Sequence, residues 1–135
     1  MTRVETKHLP IPATTEAVAK AAIDAAFSVH KALGPGLLES VYEACLCHEL
    51  ASRGIRFAKQ VSLPVVYNGV KVDAGLRLDV FVENCVILEL KSVENHNRLF
   101  EAQVLTYLKL TGVRLGLLIN FNVAVLKDGL RRIVH

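Results

Sequence analysis

One stretch constrains this chain more than any other: Arg77-Leu78-Asp79-Val80-Phe81-Val82-Glu83-Asn84-Cys85-Val86-Ile87-Leu88-Glu89-Leu90-Lys91. Two apolar, β-prone runs flank a short polar break at Glu83-Asn84, and Asp79, Glu89 and Lys91 interrupt them. A charge inside a strand that is otherwise buried costs several kcal/mol unless it is paired or holds a metal. Side chains alternate faces along a strand, so Glu89 and Lys91 project from the same face. Whether Asp79 joins them depends on the connection. A two-residue loop would set Asp79 opposite Leu88, whereas a three-residue loop, or one bulge, sets it opposite Glu89. The second arrangement is the expected one. It gathers two carboxylates and an ammonium at one spot on a rigid sheet. Two hard oxygen donors suit Mg²⁺, which keeps most of its own waters, and the ammonium can position the attacking water or face a phosphate. The alternative is a pair of salt-bridged acids at a sheet edge.

The chain has 135 residues, enough for a single domain with a real core. It is 52% apolar, yet no apolar run approaches the ~20 residues needed to cross a bilayer. No signal peptide is read at its start. The three cysteines, Cys45, Cys47 and Cys85, are odd in number and lie in element-like sequence, which points to reduced thiols and a cytoplasmic protein. Cys45 and Cys47 are two apart on a helix and point roughly 200° apart, so they cannot close a zinc site. A net charge of +3 permits contact with a polyanion without demanding it.

Residues 1–13 read as an extended arm ending in Leu9-Pro10-Ile11-Pro12, and residues 14–135 as one domain. Thr14 or Thr15 is expected to cap a helix running to about Leu33 with Val18, Ala22, Ala25, Val29 and Leu33 buried, and His30 at its surface. Gly34-Pro35-Gly36 stops it and opens a second helix, about Leu37 to Arg53, whose apolar face is Leu38, Tyr42, Cys45, Leu46 and Leu50. Glu39 lies on or beside that face. It is either an ordinary first-turn carboxylate or a third acid reaching toward Asp79 and Glu89.

Strand-like runs follow at Arg56 to Val61 and Leu63 to Tyr67, split around Ser62, with an Asn68-Gly69 turn and a bend at Asp73-Ala74-Gly75. Arg77 is placed on the face of Asp79, either to hold it ionised or to meet a phosphate. After Lys91, a polar loop contains His96, read as a solvent-exposed histidine rather than a proton-transfer group. Asn97 is expected to cap a third helix, Arg98 to Thr111, closed by Gly112. Leu115 to Phe121 is a central strand covered on both sides, and Val123 to Leu126 with Leu130 to Val134 reads as a closing hairpin or edge.

Asp79 followed by Glu89-Leu90-Lys91 resembles the signature of the PD-(D/E)XK nuclease superfamily. Gly36-Leu37-Leu38-Glu39-Ser40-Val41-Tyr42 matches the pattern that names its GxxExxY family, and the likeness extends from about Ala17 to Val134. Gln103-x-x-x-Tyr107 resembles the glutamine–tyrosine motif of RecB-like members, in which the glutamine lies beside the metal site. The resemblance implies an α/β, restriction-endonuclease-like three-layer α/β/α core with a central mixed sheet. It implies a Mg²⁺- or Mn²⁺-dependent nuclease with Asp79, Glu89 and Glu39 as metal ligands, Lys91 and Gln103 as further catalytic residues, and Tyr42, Arg77 and Tyr107 against the substrate. The expected partner is nucleic acid, DNA before RNA, with no membrane and a homodimer as the assembly. The alternative is a module that keeps the fold and binds nucleic acid or protein without cleaving.

Overall fold

The structure, a computed structural model, describes residues 9–135. Most of the expected N-terminal arm lies outside them. Residues 9–12 carry no regular structure, and the first helix, α1, spans Ala13–Leu33. It is followed by α2 (Glu39–Ser52), β1 (Phe57–Tyr67), β2 (Val70–Val82), β3 (Val86–Lys91), α3 (Arg98–Thr111), β4 (Leu115–Asn120), a short 3₁₀ turn (Leu126–Gly129) and β5 (Leu130–Val134). The strands form one sheet in the order β1-β2-β3-β4-β5. Only β3 and β4 are parallel, and α3 makes the crossover such a pair needs. Helices α1 and α2 bury one face of the sheet, together with Val86, Leu88 and Leu90. Helix α3 covers the other with Tyr107 and Leu108 against Leu78 and Ile87. This is the three-layer α/β/α, restriction-endonuclease-like architecture with a mixed sheet. No helix among the described residues is long and apolar enough to cross a membrane.

Helix α3 occupies the span its caps dictate: the Asn97 side chain accepts a hydrogen bond from the Leu99 N–H, and Gly112 closes the helix in the left-handed conformation. Helix α1 differs. Pro12 stands at its N-cap with no side-chain cap, so neither Thr14 nor Thr15 has that role. Its buried face is Ala19, Ala22, Ala25, Ala26, Val29 and His30, while Leu33 is exposed. His30 is therefore not a surface residue: its Nε2–H donates to the Val123 carbonyl at 2.8 Å, tying α1 to the loop after β4. On α2, Cys47 is buried and Cys45 only half-buried, and Leu38 is exposed just ahead of the first turn.

Strands β1 and β2 are longer than the sequence runs. β1 passes through Ser62 unbroken, with its register slipping between Leu63 and Val65, at Pro64, which has no N–H to give the ladder. β2 carries the Asp73-Ala74-Gly75 bend inside itself, with Gly75 at φ +71°. Asn68 and Gly69, both at positive φ, turn β1 into β2. Val123 to Leu126 is not a strand; loop and 3₁₀ turn lead directly into β5.

Candidate active site

The β2–β3 connection settles which acids meet. Val82 pairs with Val86 and Val80 with Leu88, leaving Glu83, Asn84 and Cys85 between the strands. Glu83 and Asn84 both have positive φ, the Cys85 N–H returns to the Val82 carbonyl, and Cys85 is the extra residue. Continuing this register one step sets Asp79 across from Glu89. The ladder itself stops at Val80 and Leu88, and beyond it the Leu90 N–H donates to Asp79 Oδ2 at 2.8 Å. The Asp79 side chain thus takes a backbone donor that β2 releases as it parts from β3.

Glu89 is 4% exposed, on the α3 side of the sheet, and its carboxyl is hydrogen-bonded to that of Asp79. Burial first, then this bond and the charge of Asp79, push Glu89 up to about 9, with Lys91 opposing and Glu39 adding. Two carboxyls in contact in a poorly solvated site cannot both ionise, so Glu89 keeps a proton at neutral pH. Lys91, half-buried at the end of β3, lies over the Phe100 ring of α3, with Nζ 4.6 Å from the centroid. On the same flank Tyr107 is buried and its hydroxyl is raised, mainly by burial and then by the charges of Glu89 and Asp79, while a hydrogen bond from Gln103 opposes them. Gln103 and Tyr107 therefore line the α3 side of the acid pair.

Glu39 arrives from the other helical layer. It is the first residue of α2, and its carboxyl is raised by burial, then by Asp79, with Lys91 opposing and Glu43 adding. Its place is set by a clamp built from the segment before it. The Tyr42 hydroxyl donates to the Gly34 carbonyl and accepts from the Leu37 N–H, while its ring stacks on Phe121 at 4.5 Å and 7°. Ser92 Oγ donates to the Leu37 carbonyl at 2.6 Å and Asn122 Oδ1 accepts from the Gly36 N–H at 3.0 Å. The turn leading to Glu39 is thereby bound to the segment leaving Lys91 and to the end of β4.

Glu39, Asp79, Glu89, Lys91, Gln103 and Tyr107 come together; Tyr42 does not join them as a substrate contact, and Arg77 stands outside the cluster on the exposed face of β2. Tyr42 is wholly buried and both hydrogen-bonding capacities of its hydroxyl are used by backbone, so it holds the turn instead. Arg77 is exposed, and among the described residues no ion pair joins it to Asp79, so holding that acid ionised is not what it does here.

Three side chains at the site, Gln60, Glu43 and Asn120, are not singled out by the sequence. Gln60 faces Asp79 in the β1–β2 ladder, between Lys59↔Val80 and Val61↔Leu78, with φ +51°, and its amide donates to Glu43 at 2.6 Å. Asn120, paired with Lys91 in the parallel ladder, exchanges hydrogen bonds with the backbone of Val93 and fixes the chain leaving Lys91. A polar residue ending an apolar strand was the only hint for Asn120; for Gln60 and Glu43 there was none.

The donor set suits a small divalent cation. Asp79 and Glu89 are hard oxygen donors, and the proton they now share is the cost an ion would relieve. Among the described residues no group of three or more His, Cys, Asp or Glu side chains is arranged to hold an ion as it stands. A sheet covered on both faces that brings two acids and a lysine to the point where two strands part defines a restriction-endonuclease-like domain. The chain belongs to the PD-(D/E)XK nuclease superfamily, whose model matches residues 16–133. Membership implies a nuclease-type function with nucleic acid as partner, and such nucleases generally use divalent metal ions. No curated protein and no solved structure matches the chain.

Proposed function

We propose that this protein is a Mg²⁺- or Mn²⁺-dependent nuclease that hydrolyses phosphodiester bonds, in DNA before RNA, and that it belongs to the GxxExxY branch with a RecB-like glutamine–tyrosine motif. The observation that carries this is the Asp79–Glu89 carboxyl pair beside Lys91. Asp79 and Glu89 would hold the ion, with Glu39 as a further acid. A divalent ion there supplies charge neutralisation at the phosphate and acidifies water. Lys91, held over Phe100, orients the attacking water and faces the charge that develops on phosphorus-bound oxygen. Gln103 steadies the substrate on the α3 flank, and Tyr107 closes that side of the site against water. Arg77, exposed on β2, would meet a flanking phosphate. A homodimer is the assembly proposed for a domain this small.

The test is cleavage of DNA and RNA with Mg²⁺ or Mn²⁺, with Asp79→Ala and Lys91→Ala beside the native chain. Loss of cleavage in both variants is expected, with metal binding lost only in Asp79→Ala. Cleavage retained in both would remove the mechanism. Nucleic-acid binding that is indifferent to metal, without cleavage, would favour the non-cleaving module.

A further inference from the structure

His96 lies exposed in the loop between β3 and α3, as its sequence position predicts, and it has partners there. Its Nε2 is 2.6 Å from Glu101 Oε2, in the first turn of α3. Its ring meets the edge of Phe100 at 6.2 Å and 71°, and Phe100 is the ring beneath Lys91. His96 and Lys91 also line one small cavity of about 20 Å³, closed by Asn120, Asp128, Gly129 and Arg131. Val93, Phe100 and Leu118 complete its walls, leaving room for about one water beside the polar groups. The imidazole is thus pinned at one nitrogen by a carboxylate, and it shares a water-sized space with Lys91. Nδ1 has no hydrogen-bond partner among the described residues. A base oriented by an acid, with its second nitrogen free, is the arrangement of a proton-transfer group.

We propose that His96 is the general acid of the hydrolysis, with Glu101 as the positioning residue that sets its tautomer. The inference rests on the nuclease reading above. As the bond from the attacking water oxygen to phosphorus forms, the bond from phosphorus to the leaving sugar oxygen breaks. The Nδ1 proton of the imidazolium passes to that oxygen, directly or through the cavity water. The neutral imidazole then regains a proton from solvent, and the attacking water's proton goes to bulk. The charged groups facing His96 are Glu101 from α3, Lys91 from β3, Asp128 from the 3₁₀ turn and Arg131 from β5. Glu101 is the one in direct contact.

The experiment compares two leaving groups. One substrate is an ordinary oligonucleotide; the other is a p-nitrophenyl nucleotide ester, whose leaving group departs without a proton. His96→Gln should lower kcat on the oligonucleotide by about a hundredfold or more, and on the p-nitrophenyl ester by no more than about threefold. Glu101→Gln should lower kcat on the oligonucleotide about tenfold with KM unchanged and leave kcat on the p-nitrophenyl ester within about twofold, a split that a purely structural role would not produce. If native protein with Mg²⁺ or Mn²⁺ cleaves both substrates and His96→Gln loses equally on each, the general-acid role is overturned and the nuclease reading stands. If native protein cleaves neither, both are overturned.

Discussion

Glu89 donates a hydrogen bond to Asp79 across the point where β2 and β3 part, and that bond makes the site's charge depend on pH. With Glu89 pushed up to about 9, an ion binding at neutral pH must displace a proton. The apparent affinity for Mn²⁺ should therefore rise by about tenfold per pH unit from about 6 to 8. Calorimetry at pH 7 in buffers of different ionisation enthalpy should show about one proton released per ion bound. Affinity flat across this range would mean that the two acids do not share a proton.

The same proton affects folding in the absence of metal. Glu89 is raised in the folded protein, so the folded chain binds a proton that the unfolded chain has lost. The stability this contributes is full below the unfolded glutamate value, about 4.3, and is lost as pH climbs toward 9. Glu89→Gln supplies a neutral donor of the same shape and removes the penalty. It should be more stable than the native chain at pH 8 by more than about 1 kcal/mol without metal, and the gap should close at pH 5. Urea denaturation at the two pH values measures this. A gap that widens as pH falls would reverse the sign and defeat the account.

Tyr42 offers a separation of stability from function. Tyr42→Phe keeps the stack on Phe121 but leaves the Leu37 N–H and Gly34 carbonyl without their partner. A cost of about 1–3 kcal/mol is expected. The turn so loosened is the one that sets Glu39 beside Asp79, so nuclease activity should fall further than in Leu46→Ala, which opens the core behind α2. Equal activity per folded molecule in the two variants would show that the clamp does not position Glu39.

What could be read in advance was whatever local chemistry enforces. Asn97 and Gly112 fix α3 to the residue, and the charges at Asp79, Glu89 and Lys91 demanded a connection with one extra residue, which Cys85 supplies. Where selection among equals was needed, the sequence was silent. An alanine-rich helix has no size contrast to mark its face, so His30 was placed outside although the Val123 carbonyl holds it inside. Cys45 and Cys47 point to nearly opposite sides of α2 and both pack against the core, so helical spacing did not tell which is the more buried. Tyr42 was legible as a residue of a motif but not as a clamp, because its partners at Gly34, Leu37 and Phe121 become neighbours only through the fold. Gln60 needed the β1–β2 register, set by the whole hairpin, before it could be seen opposite Asp79.

The segment leaving Lys91 depends on a glycine far along the chain. A Cβ at Gly129 would lie 2.1 Å from the Asn120 carbonyl oxygen and 3.1 Å from Val123 Cγ2, and the first of these is backbone that cannot step aside. Asn120 is the residue that clamps Val93 on both its N–H and its carbonyl. Gly129→Ala should thus destabilise the protein by about 3 kcal/mol and also free the loop from Lys91 toward His96. Gly112→Ala is the control: its φ of +75° is strained for alanine, but nothing lies within 4 Å of the added carbon. That variant should lose only about 1 kcal/mol and keep its activity per folded molecule. Thermal melts with turnover at a temperature where both variants are folded would separate them. Gly129→Ala matching Gly112→Ala in both readouts would show that the Asn120 contact yields easily, and that the chain leaving Lys91 is held by something else.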